Sequence, residues 1–209
     1  MIGWTVDAQT HNGSIGNADM YPVVQYITEG DNDWNRDGDR IKPKSLVVRG
    51  TVGLVPSGSQ PNNKPLYARI IIASQKDVKV FTKLATGGDS AHLLRSGTAG
   101  TPEQAFTGNL IDLNYPVNDL KFRVYMDKVV KLSPVDDGSL EQLQSQSYRF
   151  SKRIPLPATF TFDGGNGDAP NNFAPFLAIG FAYQDGTAPT LGDTRMLTRV
   201  SSILTWEDA

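Results

Sequence analysis

One run in the sequence has oxygen-bearing side chains spaced as in a metal site, Asp33-Trp34-Asn35-Arg36-Asp37-Gly38. It matches positions 1, 3, 5 and 6 of a calcium-binding loop. Position 12 of that loop, where a bidentate glutamate is required, would be Lys44. Pro43 and the alternating β-branched sequence beyond it favour a strand over the exiting helix. We therefore predict an acidic turn that leads into a strand, with no metal and no other cofactor.

Residues suited to acid–base or nucleophilic catalysis are few. His11 and His92 are the only histidines, and neither has a second histidine at HxH or HExxH spacing. The serines lie outside any GxSxG elbow, and the run Gly164-Gly165-Asn166-Gly167 lacks the lysine of a phosphate-binding loop. We predict no catalytic residue and no enzymatic activity. A glycosidase-type pair of carboxylates from distant positions is left open as an alternative.

Basic side chains are the more informative charged groups. Two strand-like segments carry Lys121, Arg123, Arg149 and Arg153 opposite their apolar residues, and further basic residues surround the strand that begins near Ile41. On one shared sheet face, such side chains could neutralise phosphates without reading a base sequence. We predict that these four residues contact nucleic acid. Ordinary solubility and charge protection of sheet edges is the competing explanation.

The composition indicates a single all-β domain. The 209 residues are 39% hydrophobic and 20% charged, with 20 glycines and 13 prolines, which favours many strands joined by turns. The net charge is −2, so binding of nucleic acid would depend on local basic patches. There is no cysteine for a disulfide, and no apolar run approaches the roughly 18 residues of a membrane span. We predict no membrane partner.

The elements that must position these side chains are strands, because apolar residues recur with a period of two. Leu120–Leu132 and Tyr148–Leu156 each place apolar residues on one parity and charged residues mostly on the other. Other segments rich in β-branched and aromatic residues are 23–28, 41–55, 66–74, 158–162, 176–183 and 196–206, with 78–81 as a weaker candidate.

About eight strands with long loops predict a jelly roll, an eight-stranded sandwich of two antiparallel four-stranded sheets. An Ig-like sandwich is less favoured because its cysteine pair is absent. The whole chain, 1–209, is predicted as one domain. Residues 1–19 would form an N-terminal arm, and residues 83–118, which show no clear period, a long loop insertion at the surface.

The stretch from Gly30 to Gly50 carries a family resemblance. A loop containing G-D, an arginine and G-D-x-I precedes a strand that reads K-S-L-x-x-R-G, and 68–72 and 122–128 follow in the order of two later strands. The chain thereby resembles, over most of its length, the capsid proteins of circular Rep-encoding single-stranded DNA viruses, the circovirus-like group. The matching residues are Gly30, Asp31, Arg36, Gly38, Asp39, Ile41, Lys44, Ser45, Leu46, Arg49 and Gly50.

The resemblance implies a jelly roll that self-assembles into an icosahedral shell of about 60 copies around a circular single-stranded DNA genome. It implies a location in the virion, assembly in the host cell nucleus, and an unidentified host-cell receptor. Such proteins usually begin with an arginine-rich arm, but residues 1–19 contain no lysine or arginine. Either an arm was trimmed, or the lineage packages DNA with folded-face residues alone, or it packages DNA poorly.

A carbohydrate-binding jelly roll is the alternative function. Trp4, Trp34 or Trp206 could stack on a sugar ring, and the Asp-rich loop could then hold calcium. A lectin-like module of this kind would be a monomer or a small oligomer, whereas a coat subunit would form closed particles.

Overall fold

The structure is a computed structural model that describes residues 2–11, 13–24, 26–32, 35–54, 64–80, 87–135, 144–145, 147–163, 169–189 and 196–208. Across these ranges the chain is all-β, with antiparallel sheets and no helix of seven residues or more. No helix in the described ranges has the length and apolar character needed to cross a bilayer. The strands are β1 (Ile2–His11), β2 (Tyr21–Pro22), β3 (Arg40–Leu54), β4 (Leu66–Gln75), β5 (Leu94–Thr98), β6 (Thr101–Gln104), β7 (Phe122–Leu132), β8 (Pro134–Val135), β9 (Gln144–Ser145), β10 (Ser147–Ile154), β11 (Phe160–Thr161), β12 (Pro175–Tyr183) and β13 (Met196–Asp208).

Two larger sheets form the sandwich. Sheet A has the order β1-β13-β3-β10, and the short β11 also pairs with β3. Sheet B has the order β2-β12-β4-β7, while β5 with β6 and β8 with β9 form two-stranded pairs. The long central pairing of β3 with β13 runs from Ile41–Asp208 to Leu54–Met196 and contains one bulge near Thr205.

Apolar side chains between the two sheets form the inner core. Alternate residues of each strand point to the same face, so β3 and β13 contribute one face and β4 and β12 the other. Each fully buried aliphatic or phenyl side chain contributes roughly 1.5–3 kcal/mol by leaving water. Members of this inner core include Leu46, Val48, Val52, Ile70, Ile72, Ile179, Phe181, Val200 and Leu204.

Residues 87–118, here called the insertion, cover the opposite side of sheet B. Their apolar side chains and those on the outer side of β4 and β12 form a second buried cluster, the outer cluster. Every residue of β12 is therefore buried, on both faces of the strand. The outer cluster includes Ile71, Ala73, Leu93, Leu94, Phe106, Val117, Phe122, Phe176 and Ala178.

A buried arginine ties the insertion to sheet B. Arg69 on β4 is 2% exposed, and its Nε and Nη2 donate to the two carboxylate oxygens of Asp127 on β7 at 2.9 and 2.6 Å. Its Nη1 donates to the backbone carbonyl of Asp112 in the insertion at 2.5 Å. The buried carboxylate of Asp112 accepts from the Thr107 backbone N–H and the Gln104 amide, at 2.8 and 3.0 Å. All three nitrogens of the Arg69 guanidinium thus donate hydrogen bonds, two to Asp127 on β7 and one to the insertion.

The structure differs from the sequence expectations in four segments of the chain. Residues 2–11 of the predicted arm form β1, paired with β13. In the segment 23–28, Val23, Val24 and Ile27 are buried, but the strand is the preceding pair Tyr21–Pro22. The weaker candidate 78–81 is not a strand where it is described, to Val80. From residue 87 on, the predicted loop contains β5 and β6 and packs as a layer.

A bulge changes the face that β7 presents. Ile72 pairs with Met126, but the next residue, Ala73, pairs with Val124, so Tyr125 is an extra residue. Phe122 consequently lies in the outer cluster, although Leu132, of the same sequence parity, lies in the inner core. The bulge therefore splits what the sequence shows as one apolar face.

Candidate nucleic-acid interface

The loop part of the Gly30–Gly50 signature is built around a buried arginine. Arg36 is 1% exposed, donates from Nε to the Ile27 carbonyl at 3.2 Å and from Nη1 to the Gly38 carbonyl. Its guanidinium lies 4.5 Å from the centre of the Phe162 ring and within 3.4–3.6 Å of the carboxylates of Glu29 and Asp39. Arg36 therefore holds the loop closed and is not available to a ligand.

The two loop glycines of the signature have backbone conformations that other residues avoid. Gly30 has φ of +154° and Gly38 has φ of +77°. The run that partly matches a calcium loop, and that we predicted to be a metal-free acidic turn, starts in this region, but Asp33 and Trp34 lie outside the described residues. Within the described ranges, no group of three or more His, Cys, Asp or Glu residues is placed to hold a metal ion.

The strand part of the signature lies in β3 and is also mostly structural. Leu46 is fully buried in the inner core. Lys44 Nζ pairs with Glu207 at 2.8 Å, and the Ser45 and Thr205 hydroxyls are 2.8 Å apart, so both residues link β3 to β13. A Cβ on Gly50 would lie 2.4 Å from the Phe150 ring, which packs directly over it. Only a glycine fits at that position.

Arg49 is the exception in the signature, because its side chain is exposed and no described residue pairs with it. It points outward from sheet A, since its neighbours Val48 and Gly50 face the inner core. Its register partners are Ser151 on β10 and Ser201 on β13. The guanidinium therefore stands between two hydroxyl-bearing residues on the outer surface.

Three further arginines share that surface with Arg49. Arg149 and Arg199 are both register partners of Thr51, on opposite sides of β3, and Arg153 is the partner of Val47. All four arginines are exposed, and neighbouring strands lie about 4.8 Å apart. We call this set the arginine face, defined by Arg49, Arg149, Arg153 and Arg199.

On β10, on β3 from Ser45 to Gly53 and on β13 from Leu197 to Thr205, the outward positions include no carboxylate. The outward residues of β10 are Ser147, Arg149, Ser151 and Arg153. Those of β3 are Ser45, Val47, Arg49, Thr51 and Gly53, and those of β13 are Leu197, Arg199, Ser201, Ile203 and Thr205. Arginines interspersed with hydroxyls can donate hydrogen bonds to phosphate oxygens in several geometries. The surface suits a polyanion and offers no means of reading a base sequence.

The structure separates the four residues predicted to contact nucleic acid. Arg149 and Arg153 lie on the arginine face, with Arg49 and Arg199, which the sequence prediction did not include. Arg123 lies on sheet B and is the register partner of Ser74. Lys121 precedes β7 and contacts the insertion. The strand parity of Arg49 and Arg199 was the available signal, because each alternates with buried neighbours.

Lys121 is held by carboxylates of the insertion. Its Nζ lies 2.6 Å from Asp89 Oδ2 and 3.6 Å from Glu103 Oε2. The hydrogen bond to Asp89 raises the pKa of Lys121, and the hydrogen bond from Asn118 lowers the pKa of Glu103. Burial opposes ionisation of Asp89, but hydrogen bonds from His92 and Lys121 hold its pKa below the ordinary value. The charge of Lys121 is therefore balanced locally.

Arg123 lines a cavity of about 400 Å³ at one end of the sandwich, here called the end cleft. Its walls come from the end of β4, the start of β7, the segment after β10 and the segment before β12. The described lining residues are Ser74, Gln75, Lys76, Val78, Lys79, Arg123, Tyr125, Pro155, Leu156, Pro157, Asn172, Phe173 and Ala174. None of them is acidic, so the cleft is a second cationic surface.

Of the three tryptophans predicted as sugar platforms, the structure describes one side chain. Trp206 is partly buried and packs against the inner core. Trp4 lies in β1, and Trp34 is outside the described residues. Comparison of the chain with known protein families and with curated proteins gave no match.

Proposed function

We propose that the chain is the coat subunit of a circovirus-like single-stranded DNA virus, a jelly roll that self-assembles into an icosahedral shell. The arginine face would line the shell interior and contact the genome. The observation that carries this proposal is the arginine face, because it places four exposed arginines on one sheet surface, and three of them, Arg49, Arg149 and Arg153, have no described carboxylate partner. The signature from Gly30 to Gly50 supports it, since Arg49 belongs to that signature.

The strand order supports the jelly-roll topology. Numbered along the chain, β1, β2, β3, β4, β7, β10, β12 and β13 would be strands 1 to 8, so that sheet A reads 1-8-3-6 and sheet B reads 2-7-4-5. A jelly roll is a long antiparallel hairpin that is rolled up, so strands 1 and 8, 2 and 7, 3 and 6, and 4 and 5 must pair. All four pairings occur here, together with the cross pairs 8-3 and 7-4.

The remaining features of a coat subunit follow from the same proposal. The shell would contain about 60 copies, the subunit would reside in the virion, and assembly would take place in the host nucleus. Since residues 2–11 pair within sheet A, the proposed contact with DNA is assigned to the arginine face and not to those residues.

Reversal of charge on the arginine face tests the proposed DNA contact. The variant Arg49→Glu/Arg149→Glu should fold and assemble but package less nucleic acid, because it removes cations that neutralise phosphates. Each lost phosphate contact should also reduce the slope of log K against log salt for single-strand binding by about 0.7. The measurement is the ratio of absorbance at 260 and 280 nm of purified particles.

The matched control is Arg95→Glu/Lys131→Glu, which makes the same change in formal charge. Arg95 is in the insertion, in an exposed ion pair with Asp119, and Lys131 is on β7. The control should retain the absorbance ratio of the original chain. Equal ratios for both variants would show that the arginine face does not hold the genome.

A further inference from the structure

The end cleft combines cations with aromatic and apolar walls, unlike the arginine face. Arg123 and Lys79 are exposed, and neither is paired with a described residue. Tyr125 and Phe173 line the same cavity, together with Val78, Leu156 and two prolines. A ligand matched to both kinds of wall would carry a negative charge and a flat apolar group.

Both aromatic rings are held in place by neighbours. The Tyr125 hydroxyl is 3.0 Å from Ser74 Oγ, and the bulge in β7 positions this residue. The Phe173 ring is stacked on Phe160, with 5.4 Å between ring centres and 23° between planes. Rings fixed in this way lose little conformational freedom when a ligand stacks on them.

A second cavity, of about 490 Å³, lies next to the end cleft. It shares the lining segment Pro155–Leu156–Pro157 with the cleft and is also lined by Lys44 and Arg153. Arg153 belongs to the arginine face as well. Lys79 and Arg123 therefore line one cavity and Arg153 the other, and the Pro-Leu-Pro segment borders both.

We propose that the end cleft is a nucleotide pocket for single-stranded DNA, an inference that rests on the proposed function. One unpaired base enters the cleft beside Tyr125 and Phe173, and its phosphate contacts Arg123 and Lys79. The strand then continues over Pro155–Leu156–Pro157 towards Arg153. A base in a duplex could not enter, because both of its faces are stacked on neighbouring bases.

The test separates base contacts from phosphate contacts by using two fluorescent oligonucleotides with equal numbers of phosphates. One is a 12-nucleotide deoxythymidine strand, and the other has the same backbone without bases. Fluorescence anisotropy with the chain freed of nucleic acid should show that the thymidine strand binds about fivefold more tightly or better. Equal affinities would overturn the nucleotide pocket, and they would leave the phosphate-binding role of the arginine face untouched.

Variants of the chain test whether the preference for the thymidine strand over the abasic strand arises in the end cleft. Tyr125→Leu should reduce the thymidine-to-abasic ratio towards one, whereas Lys131→Ala, on the same strand but outside the cleft, should leave it unchanged. Arg123→Ala, an exposed substitution, should weaken both oligonucleotides. If Tyr125→Leu does not fold, photocrosslinking of the original chain to a strand containing 5-iododeoxyuridine gives the position directly. Crosslinks at Tyr125 or Phe173 support the proposal, and crosslinks confined to other residues overturn it.

Discussion

Arg36 and Arg49 belong to one signature but have opposite surroundings. Arg36 is buried beneath Phe162 and donates to backbone carbonyls, whereas Arg49 is exposed among hydroxyls on the arginine face. In the sequence pattern both are simply cations of one motif. The structure assigns the first to closing a loop, and we assign the second to the contact with a polyanion.

Replacement of Arg36 should destabilise the fold. Arg36→Met leaves the backbone carbonyls of Ile27 and Gly38 without their donor, and a buried polar group left unsatisfied typically costs about 1–3 kcal/mol. Chemical denaturation should show this loss in the free energy of unfolding. Arg40→Met, at an exposed neighbouring arginine, should change it by no more than about 0.5 kcal/mol. Equal denaturation midpoints for the two variants would contradict the structural role of Arg36.

The contact between Gly50 and Phe150 gives a prediction about packing. Gly50→Ala places a methyl group where the Phe150 ring lies and should cost about 1–3 kcal/mol of stability. In a Phe150→Leu background the same substitution should cost much less, because the ring is gone. Gly87→Ala is the control, since nothing lies within 4 Å of the added atom. An unchanged cost in the Phe150→Leu background would show that the two residues are not coupled.

At the scale of elements, the sequence predicted the existence of strands better than the faces they present. The period-two pattern identified β7 and β10 correctly, but it could not reveal the bulge at Tyr125, because a bulge adds a residue without altering the alternation of residue types. Arg123 does not share a face with Arg149 because β7 belongs to sheet B and β10 to sheet A, a pairing that the period of two does not reveal. Asp89 and Glu103, which pair with Lys121, are near it in space but not in sequence. The sequence therefore contains no local pattern that could reveal these ion pairs.

The insertion was predicted as a loop because its strands are short and because its apolar side chains are buried only by packing against sheet B. The signal that could have revealed its packing lies elsewhere, in the segments 66–74 and 176–183. Both are apolar on both parities, which indicates strands covered on both faces. The insertion covers the second face, and the buried Arg69 with its partners Asp127 and Asp112 fixes its position.

The charged cluster of the insertion predicts a dependence on pH. The pKa values of Asp89 and Glu103 are lowered, so their contribution to stability is present above about pH 4 and is lost as the pH falls through the folded-state values. The pKa of Lys121 is raised, so its contribution is present below about pH 10.4 and is lost above the folded-state value.

Nuclear magnetic resonance titration of the side-chain carboxyl groups checks these directions. In the original chain Asp89 and Glu103 should titrate below their ordinary values, and in Lys121→Met both titrations should move upward because a cationic partner is lost. Lys131→Met should leave both unchanged. Titration of the two carboxyls at ordinary values in the original chain would show that the cluster does not form.

At the scale of the whole molecule, cationic side chains are concentrated although the net charge is −2. The arginine face occupies the outer surface of one sheet, and its Arg153 also lines the second cavity, which shares Pro155–Leu156–Pro157 with the end cleft. The insertion covers the outer side of the other sheet. A sandwich with one cationic surface and one covered surface is suited to a shell, in which each copy must present one surface to the genome.

Negative-stain electron microscopy of the purified, expressed chain tests the central claim most directly. The proposal predicts closed particles of uniform diameter that elute far ahead of a 22.8 kDa monomer in size-exclusion chromatography. A chain that remains a monomer or small oligomer across the concentrations and salt conditions that favour assembly would contradict the proposed coat function and would favour a binding module instead.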